Sequence, residues 1–212
     1  MASSNNLVTS EQWLAAARHR RTVYGIAGTS QVSDQKVQSI IEQVLSFAPS
    51  AYNTQPVRVT LVTAEKHKQL WDVIIRTAEP FLRAVSEDVW NALNGQFQAF
   101  KAAYGSVIFW TSGDSIKQAG EAHRSAAHMF GEFSEHANGM HQILVWTALE
   151  LEGLGANLQH LNAIPNVEDA IKDFCQVPGD YKLKAHLNYG DEVQEHPPVP
   201  GKLPLSETFK VL

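Results

Sequence analysis

Cysteine is almost missing from this chain: Cys175 is the single one among 212 residues. One chain therefore holds no internal disulfide and no multi-cysteine zinc site, and a lone thiol suits a reducing compartment. No uncharged apolar run reaches the roughly 18 residues that a membrane helix needs. The opening MASSNNLVTSEQW lacks the basic stretch and apolar run of a secretory leader. The expected location is cytoplasmic, with no membrane association. A basic excess is also absent. Lys and Arg number 17 against 22 Asp and Glu, a net charge of -5, which gives no reason to expect a nucleic-acid partner. Repeats and low-complexity tracts are missing too. What remains, 44% hydrophobic and 18% charged, is the composition of a globular chain, read as one domain over 1–212.

The familiar catalytic constellations are absent as well. GLGANL at Gly153 superficially resembles a dinucleotide fingerprint, but it follows a helix pattern where a strand is required. His123, His128, His136 and His141 fall in pairs five apart, which on a helix places the two rings about 140° apart, too far round for shared metal ligation. No G-x-S-x-G is present, and Ser106 has no flanking pattern of a nucleophile. Cys175, beside Phe174 on a short apolar helix, reads as a buried structural thiol. No pair of carboxylates stands out for acid–base work. A chain without such groups can still carry chemistry if a cofactor supplies it.

Thr9 and Gln12 form a T-x-x-Q capping box, so a helix starts near Ser10 and ends in RHRR, residues 18–21. Ser33 caps a second helix with the stripe Val37, Ile40, Ile41, Val44 and Leu45, ended by Pro49. VRVTLVT, 57–63, alternates as a strand. Residues 65–79 read as helix, and the pattern then turns irregular, with breaks near Pro80 and at Asn94-Gly95. GSVIFWTS, 105–112, is a strand covered on both faces. HQILVWTALELEG, 141–153, is a helix apolar nearly all round, placed in the core and against a second subunit. GANLQHLN is extended, NVEDAIKDF a short helix, and YKLKAHLNYG a strand. Residues 1–8 are expected to be a flexible N-terminus, 80–135 a helical excursion on the substrate side, and 191–212 a C-terminal extension. Phe97, Phe100, Lys101, Phe130 and Phe133 are candidates to shape that substrate side, with core packing the alternative for the aromatics. Helices alternating with well-separated strands point to an α+β or α/β class, the sheet enclosed by helices.

Two junctions carry unusual polarity. RHRRTVY sets Arg18, Arg20, Arg21 and Thr22 at a helix end, where cations either complement the macrodipole or clamp a phosphate. FAPSAYNTQPVRVTLV, from Phe47 to Val62, gathers Ser50, Asn53 and Gln55 between a helix and a strand. Those side chains suit the alternating donors and acceptors of a pyrimidine-like ring, or they serve an ordinary polar turn.

In order and spacing, the Arg-Arg-Thr helix end and the Pro-Ser-x-x-Asn-x-Gln-Pro junction resemble the flavin-dependent nitroreductase family. ALELEGLGANLQHLN and the terminal GKLPLSETFKVL are similar to that family's later flavin segments. FKAAYGSVIFW, ANGMHQ and VWTALELEGLGANLQH are similar to a compact fungal and bacterial branch linked to oxidative stress and lipid signalling. The resemblance covers about residues 10–212. It implies an α+β fold with a central mixed sheet, a long buried core and dimer helix, and a homodimer holding FMN at its interface. Arg20, Arg21 and Thr22 would contact phosphate, ribityl chain and pyrimidine edge, and Ser50, Asn53 and Gln55 would reach the flavin across the interface. Leu158, Gln159 and His160 would run along the central ring, and Lys202 would reach the phosphate. NADH or NADPH would deliver hydride to the flavin, which then reduces nitroaromatics, quinones or similar small acceptors. Tyr24 stands where many relatives carry a cation near the pyrimidine, so reduction should be less favourable here. A flavin-binding sensor with slow turnover is therefore the rival reading, and a cofactor-free globular protein the third.

Overall fold

The computed structural model describes residues 8–212, so nearly all of the expected flexible N-terminus lies outside the described residues. Thr9 caps α1 (Ser10–His19) by the reciprocal bonds its motif predicts: its hydroxyl accepts from the Gln12 N–H, and the Gln12 side chain accepts from the Thr9 N–H. Ser33 caps α2 (Asp34–Phe47), which buries Val37, Ile40, Ile41 and Val44. Leu45, the fifth residue of that stripe, stays 40% exposed. The helix stops at Ala48, which turns extended before Pro49.

After β1 (Val57–Thr63) come α3 (Ala64–Val85) and α4 (Glu87–Lys101). The breaks expected at Pro80 and Asn94-Gly95 do not occur, for both lie inside helices. The chain turns at Ser86 instead, whose extended backbone ends α3 and whose hydroxyl accepts from the Val89 N–H. Packing explains the difference. Leu70, Trp71 and Ile74 of α3 bury against Trp90, Phe97 and Phe100 of α4 in one cluster, and that outweighs costs of about 3 kcal/mol for proline and about 1 kcal/mol for glycine.

Then follow β2 (Gly105–Ser112), α5 (Gly113–Ala122), α6 (Phe130–Leu151), β3 (Leu154–Gln159), α7 (Val167–Cys175), β4 (Tyr181–Asp191) and the short α8 (Leu205–Thr208). The sheet order is β1-β2-β4-β3. A mixed sheet was the expectation, but all three pairings are antiparallel. The α3–α4 hairpin returns the chain antiparallel to β1. β2 and β3 run in the same direction yet never pair, because β4 lies between them.

Both faces of the sheet are covered, which the unbroken apolar run of β2 requires. Val107 and Phe109 pack with α2 and α6, while Ile108 and Trp110 pack with α3, α4 and α7. α6 is longer than its apolar pattern. Its first turns bury the polar Ser134, Asn138 and His141 beside Phe130 and Ala137, Asn138 donating to the Trp110 carbonyl at 2.9 Å, which interrupts the apolar pattern there. Within one chain, Met140, Ile143 and Leu151 of this helix are exposed. Among the described residues no helix is long and apolar enough to cross a membrane.

Candidate functional site

α1 delivers the arginine cluster to the far edge of the sheet. Past His19 the chain extends beside β3, with the Val23 N–H donating to the Ala156 carbonyl at 2.9 Å and Asn157 Nδ2 donating to the Val23 carbonyl at 3.0 Å. Glycine permits this close seating: a Cβ on Gly155 would sit 2.9 Å from Val23 Cγ1. Glu150, buried on α6, fixes the start of the segment. Its Oε2 accepts from the Arg21 N–H at 2.7 Å and its Oε1 from Trp146 Nε1 at 2.7 Å. Burial pushes the Glu150 carboxyl up to about 7 even though those two donors and the Arg20 charge pull it down. The Arg20 guanidinium lies over the Trp146 ring, 4.2 Å from its centroid.

Arg20, Arg21 and Thr22 meet Lys202 and Pro197, Pro198 and Pro200 around a cavity of about 340 Å³. The first and last flavin segments expected from the sequence thus converge. Their parts differ, however. The Arg21 guanidinium donates to the carbonyls of Arg18 and Arg20, closing the end of α1. It keeps its charge and its remaining N–H groups, so Arg20, Arg21 and Lys202 are all cations on the cavity. With the Thr22 hydroxyl this donor set fits a phosphate group.

Two residues further on, Tyr24 and Gln159 line a second cleft of about 590 Å³ with Phe100 and the α4 residues Ala92, Gly95, Gln96 and Ala99. Gln159 is oriented from below: its Nε2 donates to Asn157 Oδ1 at 3.0 Å, which also accepts from Asn188 Nδ2 at 3.0 Å. Leu158 packs against the core and offers only backbone, and His160 is exposed where β3 ends. Residues 20–24 thus contribute to two cavities, one lined by cations and prolines and one by Tyr24, Phe100 and uncharged residues. Lys101, a substrate-side candidate, is paired with Asp72 at 2.5 Å. Phe97, Phe100 and Phe130 are buried, as the core-packing alternative has it.

Ser50, Asn53 and Gln55 lie elsewhere. They precede β1, the edge strand opposite β3, so one chain does not bring them to the Arg20 cavity. Their backbone is unusual: Tyr52 (φ 54°), Asn53 (φ 54°) and Gln55 (φ 45°) are all left-handed. Ser50 Oγ accepts from the Gln55 N–H at 2.9 Å and ties the loop, while the Tyr52 ring packs on His123, 4.5 Å away, and on Phe130. Left-handed geometry costs a non-glycine residue about 1–2 kcal/mol, and such strain concentrates where ligands are held. Gln55→Gly relieves it at a chain-entropy cost of about 0.5–1 kcal/mol. The cofactor-free variant should therefore be stabilised by roughly 0.5–1 kcal/mol, read as a higher urea midpoint. A lower midpoint would show that the geometry is not strained.

Sequence reasoning missed three groups. Glu150 is one acid inside an apolar helix run, a signal that was present in VWTALELEG. His196 hydrogen-bonds the end of α1 from the C-terminal extension, a contact no local pattern announces. A buried chain links His67, Ser106 and His186. Two of the histidines spaced five apart do other work: His141 is buried with Nδ1 2.7 Å from the Ala137 carbonyl, and His136 lies 3.7 Å from Glu132 on the surface. Burial pushes the Cys175 thiol up to about 12, which suits a structural group.

Residues 17–191 match the sequence model of the nitroreductase family. The chain is 32% identical over 202 residues to the nitroreductase FRM2 of Saccharomyces cerevisiae, covering 93% of this chain and 92% of that protein. It is also similar to the solved nitroreductase CinD of Lactococcus lactis in complex with 4-nitrophenol, 31% identical with a TM-score of 0.79, covering 94% and 99% of the two chains. CinD was likewise solved in complex with chloramphenicol, a comparison giving 30% identity and the same coverage and TM-score, 0.79.

Proposed function

This chain belongs to the nitroreductase family, and from that premise we propose that it is an FMN-dependent oxidoreductase driven by NADH or NADPH. The observation that carries the reading is the extended segment 20–24, which sets Arg20 and Thr22 on a cationic cavity and Tyr24 on a second cleft, with Val23 buried between them. FMN likewise has two parts, a phosphate and a flat ring system joined by a chain. Arg20, Lys202 and Thr22 would hold the phosphate, and Arg21 keeps the end of α1 closed beside it. Tyr24, Gln159 and the backbone of Leu158 and His160 would border the ring. When bound, the flavin supplies hydride acceptance from reduced nicotinamide and delivery to an oxidised acceptor. The protein's own contribution is placement. Glu150 fixes the backbone at Arg21, and Asn157 anchors both Val23 and Gln159, through hydrogen bonds buried at Arg21 and Val23 and half-buried at Gln159.

We further propose a homodimer. Ser50, Asn53 and Gln55 cannot serve their own chain's cavity from the opposite sheet edge, but they can serve that of a second copy. Trp13, Phe47, Ile143 and Leu151 are exposed on α1, α2 and α6, and most of them border an apolar cleft of about 290 Å³. A second subunit would bury this face. The acceptors are small and flat, nitroaromatics and quinones, in keeping with the 4-nitrophenol and chloramphenicol complexes of CinD. The single cysteine suits a reducing, cytoplasmic setting.

One observation favours a second reading. Tyr24, where the resemblance leads one to expect a cation, opens onto a cleft lined by Ala92, Ala99 and Phe100 and, among the described residues, by no charged one. Negative charge on a reduced flavin would gain little there, which suits a flavin-binding regulator with slow turnover. Steady-state oxidation of NADH and NADPH with a nitroaromatic acceptor separates the two. Sustained cycling supports the enzyme. Bound FMN that neither nicotinamide reduces supports the regulator.

A further inference from the structure

His196 lies in the segment that leaves β4 and runs toward Lys202. Its Nδ1 faces the Glu192 carboxylate at 3.0 Å and its Nε2 faces the His19 carbonyl at 2.8 Å. The ring is stacked on His19, centroids 4.5 Å apart and planes 12° from parallel. A neutral imidazole carries one N–H and cannot donate to both acceptors, whereas an imidazolium can. The geometry therefore selects the doubly protonated ring. Directly after it, Pro197, Pro198, Pro200 and Lys202 form the wall of the cavity that faces Arg20 and Thr22.

His19, Glu150 and His196 bring ligand-type atoms within 4.8 Å of one another, and a metal ion is the first alternative. It fails on lone pairs. Both His196 nitrogens are committed to Glu192 and to the His19 carbonyl, which takes the third ligand away from the cluster. A metal could bind only by breaking these bonds.

We propose that His196 is a proton-operated positioning residue: as the imidazolium it fastens residues 197–202 to the end of α1 and so holds the wall of the phosphate cavity in place. The titratable and charged groups around it are Glu192 on its own segment, His19 and Arg20 at the end of α1, and Glu150 on α6. The His19 carbonyl first, then the Glu192 carboxylate, hold the ring above its ordinary 6.5, against partial burial and with help from the Glu150 charge. Loss of the proton leaves one acceptor facing a bare nitrogen. The strap then loosens, and with it the placement of Lys202.

The inference rests on the FMN reading, so two experiments keep them apart. The first needs no flavin. Amide hydrogen exchange at Val199, Gly201 and Lys202 should accelerate once the imidazolium is titrated, beyond the intrinsic pH dependence. In His196→Gln the excess should be present at every pH, and in His196→Arg, a permanent cation with donors to spare, at none. The second measures FMN and riboflavin affinity of the wild type and these variants from pH 7 upward, where the phosphate stays doubly charged. FMN binding by the wild type should weaken about tenfold across the titration, a change of about 1.4 kcal/mol. Riboflavin, which lacks the phosphate, should show no such change. His196→Gln should show the weak value throughout, and His196→Arg the tight one. Exchange and FMN affinity indifferent to both substitutions would overturn the proposal. Exchange that follows the prediction in a chain that takes up no FMN would uphold the strap and overturn the cofactor reading.

Discussion

Between pH 6.5 and 4 the folded chain should lose on the order of 3 kcal/mol of stability or more, a large share of the 5–15 kcal/mol typical of a domain. The cause is a buried polar chain beneath the sheet. His67 Nε2 lies 3.0 Å from the Phe100 carbonyl and so carries the proton; its Nδ1, 2.7 Å from Ser106 Oγ, must accept. The Ser106 hydroxyl is thus spent as a donor, and its oxygen accepts from His186 Nε2 at 2.6 Å. His186 Nδ1 is left bare and buried without a partner among the described residues. Each ring has one tautomer, and a further proton on either disrupts the order.

Burial pushes His67 down to about 4 and His186 to about 3, from an ordinary 6.5, with the Lys68 charge adding to the first shift and the His67 charge to the second. Both folded values lie below the unfolded one. The unfolded chain therefore binds more protons in that window, and stability falls as pH falls through 6.5 toward the folded values. Glu150 and His196 work the other way. Their folded values are raised, Glu150 from 4.5 to about 7, so folding takes up protons there and acidification toward 4.5 favours the fold. The two histidines outweigh that gain, so the decline should be shallow above pH 4.5 and steep below it. Urea midpoints across this range, with ring-nitrogen NMR to identify the titrating groups, check the claim. A flat profile, or a His67 ring that titrates near 6.5, would contradict it.

Much of this structure was legible from local chemistry. The capping box at Thr9, the stripe on α2, the stop at Pro49 and the both-faces-buried β2 each follow from residues within one turn or one strand. Where the reading failed, distant packing decided. Pro80 and Gly95 are helix breakers only until α3 and α4 lie along each other, and the polar start of α6 makes sense only once Asn138 meets the Trp110 carbonyl. The site divides in the same way. Arg20, Thr22 and Lys202 were found by type and order, and the structure brings them to one cavity. That Arg21 also closes a helix depends on carbonyls at Arg18 and Arg20, which no motif encodes. Glu150 and His196 act across more than 100 residues of chain, and sequence separation hid both.

Arg20→Ala should weaken FMN binding by roughly 10- to 150-fold, the worth of about 1.5–3 kcal/mol for hydrogen bonds to a charged group. Arg20 is the cation best placed to do this. Its guanidinium rests on Trp146, is attracted by Glu150 and is partly desolvated, so few rotamers are lost when an anion arrives. Riboflavin should discriminate the mechanism, because its affinity should change little in the same variant. Asn53→Ala should also lose FMN if the partner subunit's Asn53 reaches the ring, although no hydrogen bond within the described residues depends on that side chain.

The measurement that bears most directly on the whole reading is a titration of the purified wild-type chain with FMN, followed by removal of unbound flavin and a visible absorption spectrum. The expected result is flavin bands retained at about one FMN per chain, and much less flavin retained by Arg20→Ala. A wild-type chain that stays colourless after the same treatment would contradict it, leaving a nitroreductase fold whose clefts hold something else.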